Sequence, residues 1–139
     1  MKVRFCDLSR LTRLIAPAVL ADWASQLEEA DFIDGAAVHD LEAALAARLG
    51  VPHVVSCANG TDALVLGLRA LGVGHGDAVA IPNLTFWATY EAVMAVGATP
   101  LLIDTDEDGQ LDVEQLRKAA DSRDIDAVVL VHLFGWCSS

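Results

Sequence analysis

The stretch Ser56–Leu64 carries the residue types best suited to binding a ligand. A predicted strand ends there, Gly60 permits a sharp turn, and a predicted helix opens directly afterwards. The free N–H groups and the dipole of a helix N-terminus bind anions such as phosphate, and the Thr61 hydroxyl can donate one more hydrogen bond. The alternative is that Asn59 and Thr61 only form a turn and cap the helix. Asp62 would repel an anion unless its carboxylate points away.

A second candidate site lies in the stretch Pro82–Tyr90, which also follows a predicted strand and opens a predicted helix. It contains three aromatic residues within five positions, although aromatic residues make up only 6% of the chain. Helical spacing places Phe86 and Tyr90 on one face, with Trp87 turned about a third of the way round from it. One of these rings can stack on the flat ring of a ligand. The alternative is ordinary packing of aromatic side chains beneath a loop.

Two further groups at predicted strand ends are weaker candidates. Asp104 precedes an acidic turn over 106–108, and its carboxylate can hold a ribose, a metal ion or an amine, but such turns are typically solvated. His132 ends the last predicted strand, where a histidine more often packs or caps than catalyses. The glycine-rich run 72–76 follows a helix and precedes a strand, the reverse of a dinucleotide-binding loop. We therefore predict no metal site and no complete catalytic group.

Helical and strand patterns alternate along the chain, which predicts an α/β fold. The strands are continuous apolar runs, so we expect a mainly parallel sheet covered by helices on both faces. In such sheets, ligands bind at the carboxyl ends of the strands and at the helix N-termini that follow. The predicted strands are 53–57, 78–81, 100–104 and 127–131, and the predicted helices are 14–30, with Pro17 near its start, 38–49, 61–71, 85–96 and 113–120.

The composition excludes several classes of protein. The chain has 139 residues, of which 54% are hydrophobic, so it can bury a core. Its net charge is −11 and it has only nine lysines and arginines, which disfavours binding to nucleic acid or to an anionic membrane surface. No apolar run approaches the roughly 20 residues that span a bilayer. Three widely spaced cysteines without a C-x-x-C pattern are typical of reduced thiols, and we expect a cytoplasmic protein.

Several short motifs follow one another in a fixed order: Phe32-Ile33-Asp34-Gly35, Asn59-Gly60-Thr61-Asp62-Ala63-Leu64, Gly72-Val73-Gly74-His75-Gly76-Asp77, Pro82-Asn83-Leu84-Thr85-Phe86-Trp87, Gly97-Ala98-Thr99-Pro100 and Val131-His132-Leu133-Phe134-Gly135. Together they resemble the DegT/DnrJ/EryC1/StrS family. The combination is specific to that family, although no single motif is. The family consists of pyridoxal-phosphate-dependent aminotransferases that act on nucleotide-linked keto sugars.

The resemblance implies a fold-type I aminotransferase and gives roles to residues of both candidate sites. It assigns the backbone N–H groups of Gly60, Thr61 and Asp62, with the Thr61 hydroxyl, to the phosphate of pyridoxal 5′-phosphate. It assigns Phe86 to stacking on the pyridine ring of that cofactor. It also implies a sugar-nucleotide substrate, an amino donor, and either a homodimer or a complementing second chain.

The resemblance also bounds what this chain is expected to do alone. Residues 1–139 would form the N-terminal part of the cofactor-binding large domain, with an N-terminal helical segment over 1–31. The family's catalytic lysine and small C-terminal domain are expected in later segments, and neither Lys2 nor Lys118 matches that lysine. We therefore expect no transamination from these residues alone. The alternatives are a non-catalytic module that binds pyridoxal phosphate or a sugar nucleotide, and an interaction protein that uses the former dimer surface.

Overall fold

The computed structural model describes residues 4–137, which divide into one unit up to Ser56 and a second unit from Cys57 onward. The first unit contains two helices, α1 (Ser9–Glu29) and α2 (Ala36–Leu49), followed by a segment over 51–56 that is neither helix nor strand. Among residues 4–137, no helix combines the length and the apolar character needed to cross a membrane.

Helix α1 begins earlier than the sequence pattern predicted. It starts at Ser9 and not at residue 14, so Pro17 lies inside the helix rather than near its start. The Asp7 carboxylate accepts a hydrogen bond from the Ser9 N–H at 3.0 Å. This contact satisfies one of the amide groups that a helix N-terminus leaves without an internal partner, and it favours the earlier start.

The second unit is an α/β arrangement around a parallel sheet, as predicted. Its three strands have the order β2-β1-β3, so that β1 is central, and both pairings are parallel. Helices lie between successive strands along the chain. The elements are α3 (Gly60–Ala70), β1 (Ala78–Pro82), α4 (Trp87–Ala95), β2 (Thr99–Ile103), α5 (Val113–Ser122), β3 (Ala127–Val128) and a short 3-10 turn over Leu133–Gly135.

The predicted strand over 53–57 is wrong. In the described part of the chain this segment pairs with no strand, and the Val55 side chain is 79% exposed. The Ser56 N–H donates instead to the Glu42 carboxylate at 2.7 Å. A strand requires a neighbouring strand to satisfy its backbone, and an apolar run by itself does not supply one.

The last predicted strand is shorter than expected, because regular pairing with β1 covers only Ala127–Val128. The Val129 N–H adds one more bond, to the Ala80 carbonyl at 2.9 Å. Beyond this point the chain continues without ladder bonds to the 3-10 turn in the described residues. The apolar residues 129–131 therefore line a cavity and do not extend the regular strand.

The core lies on both faces of β1, which explains the continuous apolar character of that strand. Val79 and Ile81 are fully buried and pack in one cluster with Val93 of α4 and Leu68 of α3. Ala80 points to the opposite face, where it packs in a second cluster with Ile103 and Leu111 and with residues of α5. Successive side chains of a strand face opposite sides, so a strand buried on both sides must be apolar throughout.

Glu42 on α2 bonds to Ser56, at the end of the segment over 51–56. Its Oε1 atom accepts hydrogen bonds from the Ser56 backbone N–H at 2.7 Å and from the Ser56 hydroxyl at 2.8 Å. These two bonds, the backbone one first, hold the pKa of the Glu42 carboxyl below its ordinary value of 4.5.

The Glu42–Ser56 contact predicts a specific loss of stability in acid. Because the folded-state pKa is depressed, the contact stabilises the folded chain at pH values above the ordinary value of 4.5, and this contribution is lost as the pH falls through the lower, folded-state pKa. In the variant Glu42→Gln the titrating group is absent, so its stability should decline less steeply in acid. Urea denaturation at neutral pH and at a series of acidic pH values measures this difference. Glu28→Gln on α1 is the control, and equal pH profiles for wild type and Glu42→Gln would contradict the prediction.

Candidate functional site

Helix α3 begins at Gly60 and is capped by the residue before it. The Asn59 Oδ1 atom accepts a hydrogen bond from the Asp62 N–H at 2.9 Å, and the Asn59 amide donates to the Asp62 carboxylate at 3.2 Å. Asn59 therefore caps the helix, which was one of the two roles considered for it from the sequence. This cap occupies one of the amide groups predicted to bind phosphate. The N–H groups of Gly60 and Thr61 have no acceptor within the helix, because they lie in its first turn.

Phe86 is the residue before α4, and its backbone is extended rather than helical, with φ −73° and ψ 146°. The predicted helical face shared by Phe86 and Tyr90 is therefore wrong, since Phe86 precedes the helix. Trp87 and Tyr90 stack instead, with ring centroids 4.9 Å apart and 30° between the ring planes. The Phe86 side chain is 73% exposed, so its ring can contact a ligand.

The starts of α3 and α4 meet the end of β3 at one cleft of about 520 Å³ within the second unit. The cleft brings Gly60 and Thr61 of the first candidate site together with Phe86 of the second. It also includes His132, at the carboxyl end of the last strand region. The second loop follows β1, as predicted, whereas the first loop follows no strand in the described chain, because the predicted strand over 53–57 is absent.

Sequence reasoning missed two parts of this cleft. The apolar wall over 129–131 was assigned to a strand, although the segment leaves the sheet there and lines the cavity. The hydroxyl groups of Thr85 and Thr89 lie 3.0 Å apart and share a hydrogen bond, and Thr89 is buried. The four-residue spacing of the two threonines was the available signal for this pair, because it matches one turn of a helix.

Asp62 is not among the residues that line the cleft. Its carboxylate instead accepts the hydrogen bond from the Asn59 amide. A carboxylate in the first turn of a helix also interacts favourably with the positive end of the helix dipole. The absence of Asp62 from the lining agrees with the condition set for an anion site, that its carboxylate does not face the ligand.

The acidic candidates lie outside the cleft lining. The Asp104 carboxylate accepts a hydrogen bond from the Asn83 amide. The Asp106 carboxylate accepts from the N–H groups of Asp108 at 3.0 Å and Gln110 at 2.9 Å, which is the bonding of a tight turn. Across residues 4–137, no group of three histidine, cysteine or acidic side chains is arranged to hold a metal ion.

Lys118 is not among the residues that line the cleft. Lys118 lies on α5 and lines a different cavity, beside β2. Lys2 falls outside the described residues. The expectation that Lys118 does not take the place of the family's lysine is consistent with this position.

The fold and the cleft together define a class of protein. The chain is an α/β protein whose cleft, at the carboxyl ends of parallel strands, combines a helix N-terminus with an exposed aromatic ring, an arrangement suited to a ligand with an anionic group and a flat ring. The sequence profile of the DegT/DnrJ/EryC1/StrS aminotransferase family matches residues 15–139. The chain belongs to this family, as the resemblance predicted.

Curated relatives and solved structures agree with this assignment. A UDP-N-acetyl-3-dehydro-alpha-D-glucosamine 3-aminotransferase of Acidithiobacillus ferrooxidans is 47% identical over 109 residues, which cover 78% of this chain and 30% of that protein. A DegT DnrJ EryC1 StrS aminotransferase from Brucella abortus matches with a TM-score of 0.89 and 36% identity, over 99% of this chain and 39% of that one. NtdA from Bacillus subtilis, solved with bound cofactor PMP, matches with a TM-score of 0.89 and 30% identity, over 99% of this chain and 32% of that one. This chain therefore spans about a third of the length of these proteins.

The residues of the cleft fit the phosphate and the ring of the cofactor used in this family. A Cβ atom placed on Gly60 meets no protein atom within 4 Å, so the space beside this residue is open. A phosphate can therefore approach the N–H groups of Gly60 and Thr61 closely. The exposed ring of Phe86 lies in the same cleft and can cover a pyridine ring.

Proposed function

We propose that this chain forms the part of a nucleotide-sugar aminotransferase that holds the phosphate and the ring of pyridoxal 5′-phosphate. The observation that carries the proposal is the convergence of Gly60, Thr61 and Phe86 on one cleft. These residues lie in two separate loops, and each loop was a candidate ligand site on physical grounds. In this proposal, residues 1–139 are part of one cofactor-binding large domain that begins with the helical segment 1–31.

Each residue has a distinct role in the proposed site. The N–H groups of Gly60 and Thr61, with the Thr61 hydroxyl, donate hydrogen bonds to the phosphate. In this structure the Asp62 N–H donates to the Asn59 side chain. In the proposed site it would donate to the phosphate instead. Phe86 covers one face of the pyridine ring and excludes water from it. When bound, pyridoxal phosphate supplies the electron sink that amino transfer requires.

Amino transfer itself is proposed for the whole protein and not for these residues alone. The substrate would be a keto sugar linked to a nucleotide, and an amino donor would supply the nitrogen, as the name of the Acidithiobacillus relative suggests. The catalytic lysine would come from a segment outside residues 1–139, because Lys118 lines a different cavity from the proposed site. A homodimer or a complementing chain would complete the active site. A cytoplasmic location is part of the same proposal, because cysteines without a C-x-x-C pattern are typical of reduced proteins.

Calorimetric titration of the chain with pyridoxamine 5′-phosphate tests the binding step. This ligand has an amine where pyridoxal phosphate has an aldehyde, so it does not react with lysine side chains. We expect saturable binding to one site per chain, and binding at least about tenfold weaker for pyridoxamine, which lacks the phosphate. The variant Phe86→Ala should also bind more weakly. Absence of saturable binding, or equal affinity for the two ligands, would overturn the proposal.

A second measurement separates the cofactor site from catalysis. The chain is incubated with pyridoxal phosphate, reduced with borohydride, and its intact mass determined. We expect no specific adduct on Lys118 and no turnover of a keto sugar. A stoichiometric adduct on Lys118 with turnover would show that these residues carry the complete reaction, contrary to the proposal.

A further inference from the structure

His132 lies in the proposed cofactor cleft, although no role has been given to it so far. It shares this cavity with Thr61 at the start of α3 and with Phe86 before α4. Its chain segment continues from β3, which pairs directly with the central strand β1. Two loops and one strand end therefore converge on the same space. The inference that follows rests on the proposed function, because it concerns the same cleft.

Among the residues that line the cleft, His132 is the only one whose side chain can carry a positive charge. The lining contains no lysine, no arginine and no carboxylate, and its other members are apolar, glycine, asparagine or threonine. An anionic ligand therefore meets backbone amides and one imidazole rather than a cluster of cations. Hydrogen bonds between a charged group and its partner are about twice as strong as neutral ones, so an imidazole N–H can contribute strongly here.

Three of the polar side chains in the cleft are engaged within the protein. Asn59 exchanges hydrogen bonds with Asp62, and the hydroxyls of Thr85 and Thr89 bond to each other. A polar ligand atom in this largely apolar cleft requires a hydrogen-bond partner, because burial without one is unfavourable. His132 is also engaged within the protein, but its imidazole has two ring nitrogens, and both can donate a hydrogen bond when the ring is protonated.

The backbone after β3 fixes the position from which the His132 side chain projects. The Gly135 N–H donates to the His132 carbonyl at 3.2 Å and closes a turn. Phe134 within this turn adopts the left-handed conformation, with φ 57° and ψ 16°, and its side chain is 88% exposed. A bulky residue seldom adopts this conformation, and packing of its own side chain does not compensate for it here. Strained turns of this kind are concentrated at functional sites.

From these observations we infer that His132 is a ligand-binding residue of the cleft, whose imidazole N–H donates a hydrogen bond to an oxygen atom of the cofactor. The phosphate and the ring each carry such an oxygen, and the chemistry of recognition is the same for both. The inference adds a side-chain donor from the last strand region to the amides of α3 and the ring of Phe86.

Calorimetric titration with pyridoxamine 5′-phosphate tests the inference in three variants of the chain. We expect His132→Ala to bind about tenfold more weakly than wild type, because one hydrogen bond to a charged group is lost. His132→Gln retains an N–H donor and should recover much of the affinity. His75→Ala is the matched control, because His75 is exposed and lies outside the cleft lining. Urea denaturation of all three variants checks that stability is unchanged.

Competition with inorganic phosphate distinguishes the two oxygen positions. If His132 contacts the phosphate, His132→Ala should weaken the binding of inorganic phosphate as much as the binding of the cofactor. If His132 contacts the ring oxygen, the binding of inorganic phosphate should be unaffected. Either result, together with weaker cofactor binding, supports the inference. Equal cofactor affinity for wild type and His132→Ala would overturn it while leaving the proposed function in place. Failure of the wild-type chain to bind would overturn both.

Discussion

Replacing Gly60 by alanine should weaken binding of pyridoxamine 5′-phosphate by at least about tenfold without loss of stability. Gly60 does not adopt a positive φ, so alanine can take the same backbone conformation. The added Cβ meets no protein atom within 4 Å and enters the open space of the cleft. It therefore stands where a phosphate must approach the N–H groups of α3, and it keeps the ligand from forming those hydrogen bonds.

Gly60→Ala should weaken ligand binding and at the same time leave the stability unchanged or raise it, so a general loss of folding cannot explain the expected result. Exchange of glycine for alanine at a compatible position reduces the freedom of the unfolded chain and stabilises the protein by about 0.4–1 kcal/mol. Gly67→Ala is the matched control, because Gly67 also lies in α3, also has open space at its Cβ position and does not line the cleft. Both variants should unfold at the same or a higher urea concentration than wild type, and only Gly60→Ala should bind more weakly. Wild-type affinity in Gly60→Ala would show that the phosphate does not bind at the start of α3.

The sequence was sufficient to predict the parallel α/β fold of the second unit and the position of the second candidate loop after β1. Continuous apolar strands such as β1 indicate burial on both faces, and the residues that follow such strands converge on one edge. This rule applies to Phe86, which follows β1, whereas Gly60 and Thr61 follow no strand and were joined to Phe86 only through the family resemblance. Family resemblance added the identity of the ligand, which charge and spacing alone do not specify.

Other features could not be predicted, because they depend on which of several possible acceptors a backbone N–H group bonds to. The segment 53–57 has the composition of a strand, but the Ser56 N–H bonds to the Glu42 carboxylate and the described chain offers it no neighbouring strand. The start of α1 depends on a capping contact from Asp7. The Asp62 amide could bind either a phosphate or the Asn59 side chain, and both choices satisfy the same rule about helix N-termini.

The charge of the chain fits a site that is made from backbone groups. With a net charge of −11, the protein has few cations to place around an anion. The cleft lining contains no lysine or arginine, and the first turn of α3 supplies N–H groups in their place. Such donors are fixed by the helix and pay no side-chain entropy on binding. Under the proposed function, an acidic chain would hold a phosphate in this way, and Gly60 and Thr61 would be the sensitive positions.

Replacing Ile81 by alanine should lower the free energy of unfolding by about 2–5 kcal/mol, which is a large fraction of the stability of a typical domain. Ile81 is fully buried in the central strand β1 and packs against Val79 and Val93 in the larger core cluster. Removal of its side-chain carbons loses their burial and leaves a cavity that a sheet between helices cannot close completely. Urea denaturation followed by circular dichroism measures the change.

Leu102→Ala is the control for this prediction, because Leu102 lies on the neighbouring strand β2, pairs with Ile81 in register and is 57% exposed. Its loss should cost less than about 1 kcal/mol. Ile81 also lies one residue from the end of β1, from which the chain leads to Phe86 in the cleft, so Ile81→Ala should weaken cofactor binding while Leu102→Ala leaves it unchanged. Equal destabilisation by the two variants would show that β1 is not the centre of the core, and the cleft at its carboxyl end would then lack the rigid support that ligand binding requires.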